Sequence, residues 1–210
     1  MTRLACVLIW LAGAATAQGD RPGVFDYYVL ALSWTPTWCA LEGDARASPQ
    51  CDAGQGHGFT LHGLWPQHDV GWPSDCATSE PSPSRAQTAA MTDIMGSPGL
   101  ARHQWRKHGT CAGVSSEAYY RLSRRAYESV DRPDLLRRLE ETVRLPAGVI
   151  EAAFLEANPA LADDMVTVTC RAGHLQEVRI CLTRELDPRP CGLDVAQDCT
   201  LRDALFPPMR

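Results

Sequence analysis

Apolar residues fall into short dense or alternating runs, separated by stretches rich in Gly, Pro and Ser. Phe25-Asp26-Tyr27-Tyr28-Val29-Leu30-Ala31-Leu32-Ser33 is aromatic and aliphatic almost throughout and predicts a largely buried strand. Phe59-Thr60-Leu61-His62-Gly63-Leu64-Trp65 alternates and predicts a second strand, closed by Pro66. A strict period of two places Leu61, Gly63 and Trp65 on one face, with Thr60, His62 and Leu64 on the other. Between these strands, residues 42–58 hold Gly, Pro, Ser and cysteine and are expected as a stapled loop. Residues 78–88 are polar and proline-rich, a surface loop running into a short helix.

The pattern then changes period. Residues 117–130 and 133–143 carry charged faces and apolar stripes and predict helices, the second opening on Pro133. Residues 145–157 continue as a helix that Asn158-Pro159 ends. Residues 165–170 and 175–182 predict strands around a hairpin turn at Arg171-Ala172-Gly173-His174. No repeat or linker divides the chain, and strands and helices are segregated rather than regularly alternating. The expectation is one α+β domain.

The first residues are set aside. Arg3 precedes an apolar run from Leu4 to Ala15, and Ala15-Thr16-Ala17 fits a small-residue cleavage site. Residues 1–17 are therefore expected to be an export signal, and residues 18–210 the mature domain, soluble in the periplasm or outside the cell. Without Cys6 the cysteines are Cys39, Cys51, Cys76, Cys111, Cys170, Cys181, Cys191 and Cys199. Behind an export signal, an even count implies disulfides formed in an oxidising compartment. Zinc is the competing reading, but there is no CxxC pair and the spacings are irregular. Eight cysteines allow on the order of a hundred pairings, and the sequence does not choose among them. The formal charge is −5, one unit more negative once Arg3 is removed, which argues against binding polyanions through bulk charge.

One segment concentrates chemistry. His103-Gln104-Trp105-Arg106-Lys107-His108-Gly109-Thr110-Cys111 holds two imidazoles and the chain's only lysine. A chain that uses arginine elsewhere, yet lysine here, suggests a site needing a compact ammonium rather than a planar fork. On a helix each residue advances about 100°, so Lys107, Gln104 and His108 fall about 40°, 100° and 140° from His103. These four side chains would share one arc, with Trp105 on the opposite, core-packing face. Together with His62, two imidazoles can act as paired general base and acid. A lysine beside them can stabilise a phosphorane-like oxyanion. The set suits cleavage of RNA by its own 2′-hydroxyl, which needs no metal. His57, His62 and His68 lack orderly ligand spacing, and His103 and His108 are five apart rather than the four of a zinc-protease helix.

Phe59-Thr60-Leu61-His62-Gly63-Leu64-Trp65-Pro66 and residues 103–111 resemble the two catalytic segments of the ribonuclease T2 family, and the order of elements matches from about Phe25 to Cys199. The resemblance implies a disulfide-stapled central antiparallel sheet with helices packed on it. It implies a metal-independent endoribonuclease that cuts single-stranded RNA through 2′,3′-cyclic phosphates to 3′-phosphates. No cofactor, stable membrane association or obligate protein partner is expected, and the protein is expected to be a monomer. His108 resembles the base that takes the 2′-proton and His62 the acid. His103 and Lys107 resemble phosphate-binding and charge-stabilising residues. Trp65 resembles a base-stacking aromatic, with Trp72 a second stacking candidate and Gln67 a candidate base reader. Cys76 with Cys111 would tie the two segments together, and Cys39 with Cys51 would close the first loop.

One position departs from the pattern. The family usually has glutamate where Gln104 stands, and an amide keeps hydrogen bonding but loses charge and proton transfer. The lost charge lowers the tendency of His108 to stay protonated. The expectation is an active enzyme with a less acidic pH optimum than glutamate-bearing relatives. The rival reading is an RNA- or protein-binding protein with catalysis weakened by Gln104. A metal-dependent phosphodiesterase is a third.

Overall fold

The computed structural model describes residues 20–210, so the expected export segment at 1–17 lies outside it. Six strands form one sheet: β1 (Tyr27–Trp34), β2 (Phe59–Gln67), β3 (Val143–Leu145), β4 (Val166–Arg171), β5 (His174–Leu182) and β6 (Ala204–Phe206). Their order is β2-β1-β5-β6-β3, with β4 also pairing β5. Pairing is antiparallel except where His174 of β5 meets Leu205 of β6. The expected antiparallel sheet is therefore present, extended at one end through a single parallel contact.

Seven α-helices accompany it among the described residues: α1 (Thr35–Trp38), α2 (Arg85–Ala89), α3 (Thr92–Met95), α4 (Pro98–Lys107), α5 (Ser116–Glu128), α6 (Asp134–Arg137) and α7 (Ala147–Ala157). The core lies between one sheet face and the longer helices. Leu30, Leu32 and Trp34 of β1, Leu61 and Leu64 of β2 and Val178 and Ile180 of β5 bury against Trp105, Tyr119, Ile150 and Phe154. Tyrosine hydroxyls tie this layer together. Tyr119 donates to the Leu64 carbonyl at 2.9 Å, and Tyr120 to the Ala101 carbonyl at 2.9 Å. Trp105 packs in the core as its place on the helix predicted.

The local choices have plain causes. Ser97 accepts a hydrogen bond from the Leu100 amide and Pro98 occupies the first turn of α4, a favourable helix start. Pro66 was expected to close β2 but does not, because β2 is an edge strand where a missing N–H costs no ladder bond; Tyr28 pairs with Pro66 and Tyr27 with Gln67. The helix expected over 133–143 shrinks to α6. Val143–Leu145 instead pairs with β6, and Leu145 precedes Pro146, which disfavours helical backbone. For the same reason α7 begins at Ala147 rather than at residue 145. The stretch 42–58 is not plain loop, since short helical turns run through Cys39–Gly43, Asp44–Arg46 and Pro49–Cys51.

The alternation expected along β2 fails at one residue. Ala31 pairs with Gly63 and Leu32 with Leu61, so His62 is the extra residue of a β-bulge. Leu61 and Leu64 both enter the core, while His62 and Trp65 lie against each other on the opposite side. Four disulfides join Cys39–Cys51, Cys76–Cys111, Cys170–Cys199 and Cys181–Cys191. The Cys39–Cys51 and Cys76–Cys111 bridges are the two suggested above.

Candidate active site

The sheet face turned away from the core borders a cleft of about 270 Å³. His62, Trp65 and Gln67 reach it from β2, and His103, Gln104, Lys107 and His108 from α4 and its end. Trp72 stands at 58 % exposure on the loop beyond β2. All eight candidate site residues therefore line one cleft. A second cavity of about 510 Å³ adjoins it through His62 and His103.

His108 is not inside the helix. Lys107 ends α4, and His108 is its C-cap at φ −120°, followed by a tight turn over Gly109–Ala112. The shared arc drawn from helical geometry thus holds for His103, Gln104 and Lys107, whereas His108 arrives through the turn. That turn is held by the Cys76–Cys111 bridge and by the Asp75 amide donating to the Lys107 carbonyl at 2.8 Å.

Trp65 sits between the two imidazoles. Its ring stacks on His108 at 5.3 Å and 28°, and meets His62 edge-on at 5.2 Å. Its Nε1 donates to Gln104 Oε1 at 2.8 Å, and the Arg179 guanidinium lies 5.3 Å from the ring centre. Trp65 is thus held by His62, His108, Gln104 and Arg179 and remains partly exposed to the cleft. Gly63 is required beneath this pair, since a Cβ there would overlap both Gln104 Oε1 and Trp65 Nε1.

The two imidazoles have contrasting surroundings. His108 is 7 % exposed, and its Nδ1 has no hydrogen-bond partner among the described residues. Burial, reinforced by the charges of Lys107, His62 and His103, holds its pKa down at about 3. His103 is also lowered, by burial and then by Arg106 and Lys107, with Asp75 opposing. Arg106 Nη2 donates to its Nδ1 at 3.3 Å. His62 instead has an acidic partner: its Nδ1 lies 2.5 Å from Glu177 Oε1.

Glu177 and Arg179 of β5 went unread in the sequence. Glu177 is 1 % exposed. Burial pushes its carboxyl up, but the hydrogen bond and charge of His62 and the Arg179 guanidinium outweigh this and leave it at about 2. The available signal was an acid and an arginine two apart on one face of a strand whose other face is Val178 and Ile180. Asp194 and Val195, from the C-terminal loop, also line the cleft and went unread. Outside it, His68 faces Asp26 at 3.6 Å, His57 borders a separate small cavity, and His174 binds the Ala172 carbonyl in the hairpin turn. Among the described residues no group of three His, Cys, Asp or Glu side chains is placed to hold a metal ion.

Comparison with known proteins agrees with this architecture. A ribonuclease of Aeromonas hydrophila is 42 % identical over 114 residues, which cover 54 % of this chain and 50 % of that protein. A probable ribonuclease of Haemophilus influenzae is 30 % identical over 52 % of this chain and 44 % of its own length. The chain thus spans about half the length of these curated relatives. Ribonuclease I of Escherichia coli is 25 % identical over 80 % of this chain and 79 % of its own. Among solved structures, the S-like ribonuclease trichomaglin superposes with a TM-score of 0.68 at 21 % identity, covering 89 % of this chain and 99 % of that one. An RNase-related protein from Calystegia sepium gives 0.67 at 21 % identity, covering 87 % and 97 %. The family model for the Ribonuclease T2 family matches residues 25–191, and the chain belongs to that family.

Proposed function

We propose that the protein is an endoribonuclease of single-stranded RNA that uses the substrate's own 2′-hydroxyl as nucleophile. The observation that carries this reading is the pair of imidazoles, His62 and His108, set across Trp65 in one cleft with Lys107 and His103 beside them. His108, kept neutral by burial, is suited to take the 2′-proton. The 2′-oxygen then attacks the adjacent phosphorus and the P–O5′ bond breaks, leaving a 2′,3′-cyclic phosphate. His62 gives its Nε2 proton to the departing 5′-oxygen. Lys107 and His103 stand where charge accumulates on the non-bridging oxygens. Water opens the cyclic ester in a second step with the histidine roles reversed, giving a 3′-phosphate. The nucleophile belongs to the substrate, so the reaction requires no metal-activated water.

Single strands suit the cleft because their bases can splay out toward exposed Trp72 and buried Gln67. DNA lacks the attacking hydroxyl and should resist. Four disulfides fit a periplasmic or secreted location, with residues 18–210 acting as one monomeric catalytic domain. No helix of the described residues is long and apolar enough to cross a membrane. Incubation with single-stranded RNA in EDTA tests the proposal. His62→Ala and His108→Ala should each lower kcat by at least about 10²-fold. Persistent cleavage in both variants would refute the assigned pair. RNA left intact by the unmutated protein both with and without EDTA would favour the binding-protein reading, and cleavage only without EDTA the metal-dependent one.

A further inference from the structure

We infer that Glu177 is the positioning residue for His62: it holds the Nδ1 edge of the ring so that Nε2 faces the leaving oxygen, and it balances the imidazolium charge. This rests on the endoribonuclease reading above and deepens it.

The carboxylate is itself held. Its Oε1 meets His62 Nδ1 at 2.5 Å and accepts from Ser33 Oγ at 3.0 Å. Its Oε2 accepts from both Arg179 Nε at 3.1 Å and Arg179 Nη2 at 2.9 Å. Three strands cooperate, since Ser33 of β1 pairs with Thr60 of β2 on one side and with Glu177 of β5 on the other. His62 reaches the carboxylate from β2. Leu61 faces the core, so the next residue, His62, already faces the side that carries Glu177; the extra residue then returns Leu64 to the core and keeps Trp65 on the side of His62.

A buried carboxylate is costly, and a buried ion pair is weak evidence for stability, so its use is sought in chemistry. Two other acids share a cavity with His62, and both are engaged elsewhere; Glu42, in the adjoining cavity, pairs with Arg46 and Arg171. Arg179 comes from β5, and His103, Lys107 and His108 from α4 and the turn beyond it. Gln104 on that helix is an amide. Asp194 is the one acid of the 270 Å³ cleft, and its Oδ2 is taken by the Gly71 amide. The counter-charge for a protonated His62 therefore comes from the sheet. With Nδ1–H donated to the carboxylate, Nε2 carries the exchangeable proton when the ring is charged and a free lone pair when it is neutral. That tautomer serves both steps.

The role predicts a dependence on the leaving group. The 5′-oxygen of a dinucleoside monophosphate such as UpA needs a proton to depart, whereas the phenolate of uridine 3′-(4-nitrophenyl phosphate) does not. Glu177→Gln should lower kcat on UpA by about 10²-fold, the low end of what a general acid contributes, with KM within about twofold. The same variant should retain most of its rate on the nitrophenyl ester, and His62→Ala should show the same pattern. Glu177→Asp, charged but on a shorter arm, should lose less on UpA. In the unmutated protein the Nδ1 proton of His62 should give a strongly deshielded NMR signal that His62→Ala removes, a readout independent of how Glu177 variants fold. Equal losses on both substrates, no loss on either, or an absent signal would overturn the inference alone. An unmutated protein inert on both substrates would overturn the ribonuclease reading and this inference with it.

Discussion

Gln104 shows how far one neutral side chain can set a pH dependence. Its Oε1 is occupied by Trp65 Nε1 and it is 1 % exposed, so it acts as a fixed amide beside the proposed base. His108, held at about 3 by burial and neighbouring cations, keeps its base form well into acidic solution. Gln104→Glu would place a negative charge in the same cleft and favour the imidazolium. The base form would then be lost at higher pH, moving the acidic limb of kcat/KM toward neutrality. This reverses the optimum expected from the sequence, because lowering the pKa of a general base extends activity downward in pH. Profiles of the two proteins from acid to neutral would decide; a limb unmoved, or displaced to lower pH, would sink the argument. At this scale His62, Trp65, His103, Gln104, Lys107 and His108 were legible from the two motifs, and Gln67 and Trp72 from their nearness to the first. Glu177 was not, because a charged residue on a strand face reads as solvent-facing until a partner 115 residues away is known.

Strands and helices were legible where periodicity was regular and misleading where one residue broke it. The β2 pattern fixes a strand, but periodicity assumes equal spacing and cannot register that His62 is the extra residue. The error was one of facing, and it mattered because a slip of one residue exchanges the two faces. Likewise the stripe over 133–143 is compatible with a helix, yet pairing with β6, more than fifty residues onward, captures Val143–Leu145. The start of α4 was better determined by chemistry than by pattern. Ser97 accepts from the Leu100 amide at 3.1 Å, and this helix delivers His103, Gln104 and Lys107. Ser97→Ala should cost about 0.5–2 kcal/mol in urea denaturation. It should also weaken kcat, because fraying begins less than two turns before His103. Unchanged stability would mean that packing of Ala101 and Trp105 alone holds the helix start.

Cross-links act on the whole molecule, and two of them separate stability from geometry. Cys76–Cys111 closes a separation of 35 residues and Cys170–Cys199 one of 29. By loop-closure entropy each should stabilise by about 4 kcal/mol, because the restriction of the unfolded chain depends only on the logarithm of loop length. Their positions differ. Cys111 lies three residues past His108 in the tight turn that brings this ring to Trp65, and Cys76 follows the loop that carries Trp72. Cys170–Cys199 ties β4 to the C-terminal segment, and neither cysteine lines the cleft. Cysteine spacing carries no information about which loops meet in space; Cys76–Cys111 was suggested only because it would tie the two catalytic segments, and Cys170–Cys199 was not suggested. Cys76→Ala/Cys111→Ala and Cys170→Ala/Cys199→Ala should therefore shift the denaturation midpoint to a similar extent. Only the first should also lower kcat at temperatures where both variants remain folded, because only it frees the turn holding His108. Equal kinetic losses in the two variants would show that the turn is held by Gly109, the Asp75–Lys107 hydrogen bond and core packing, with the bridge contributing stability alone.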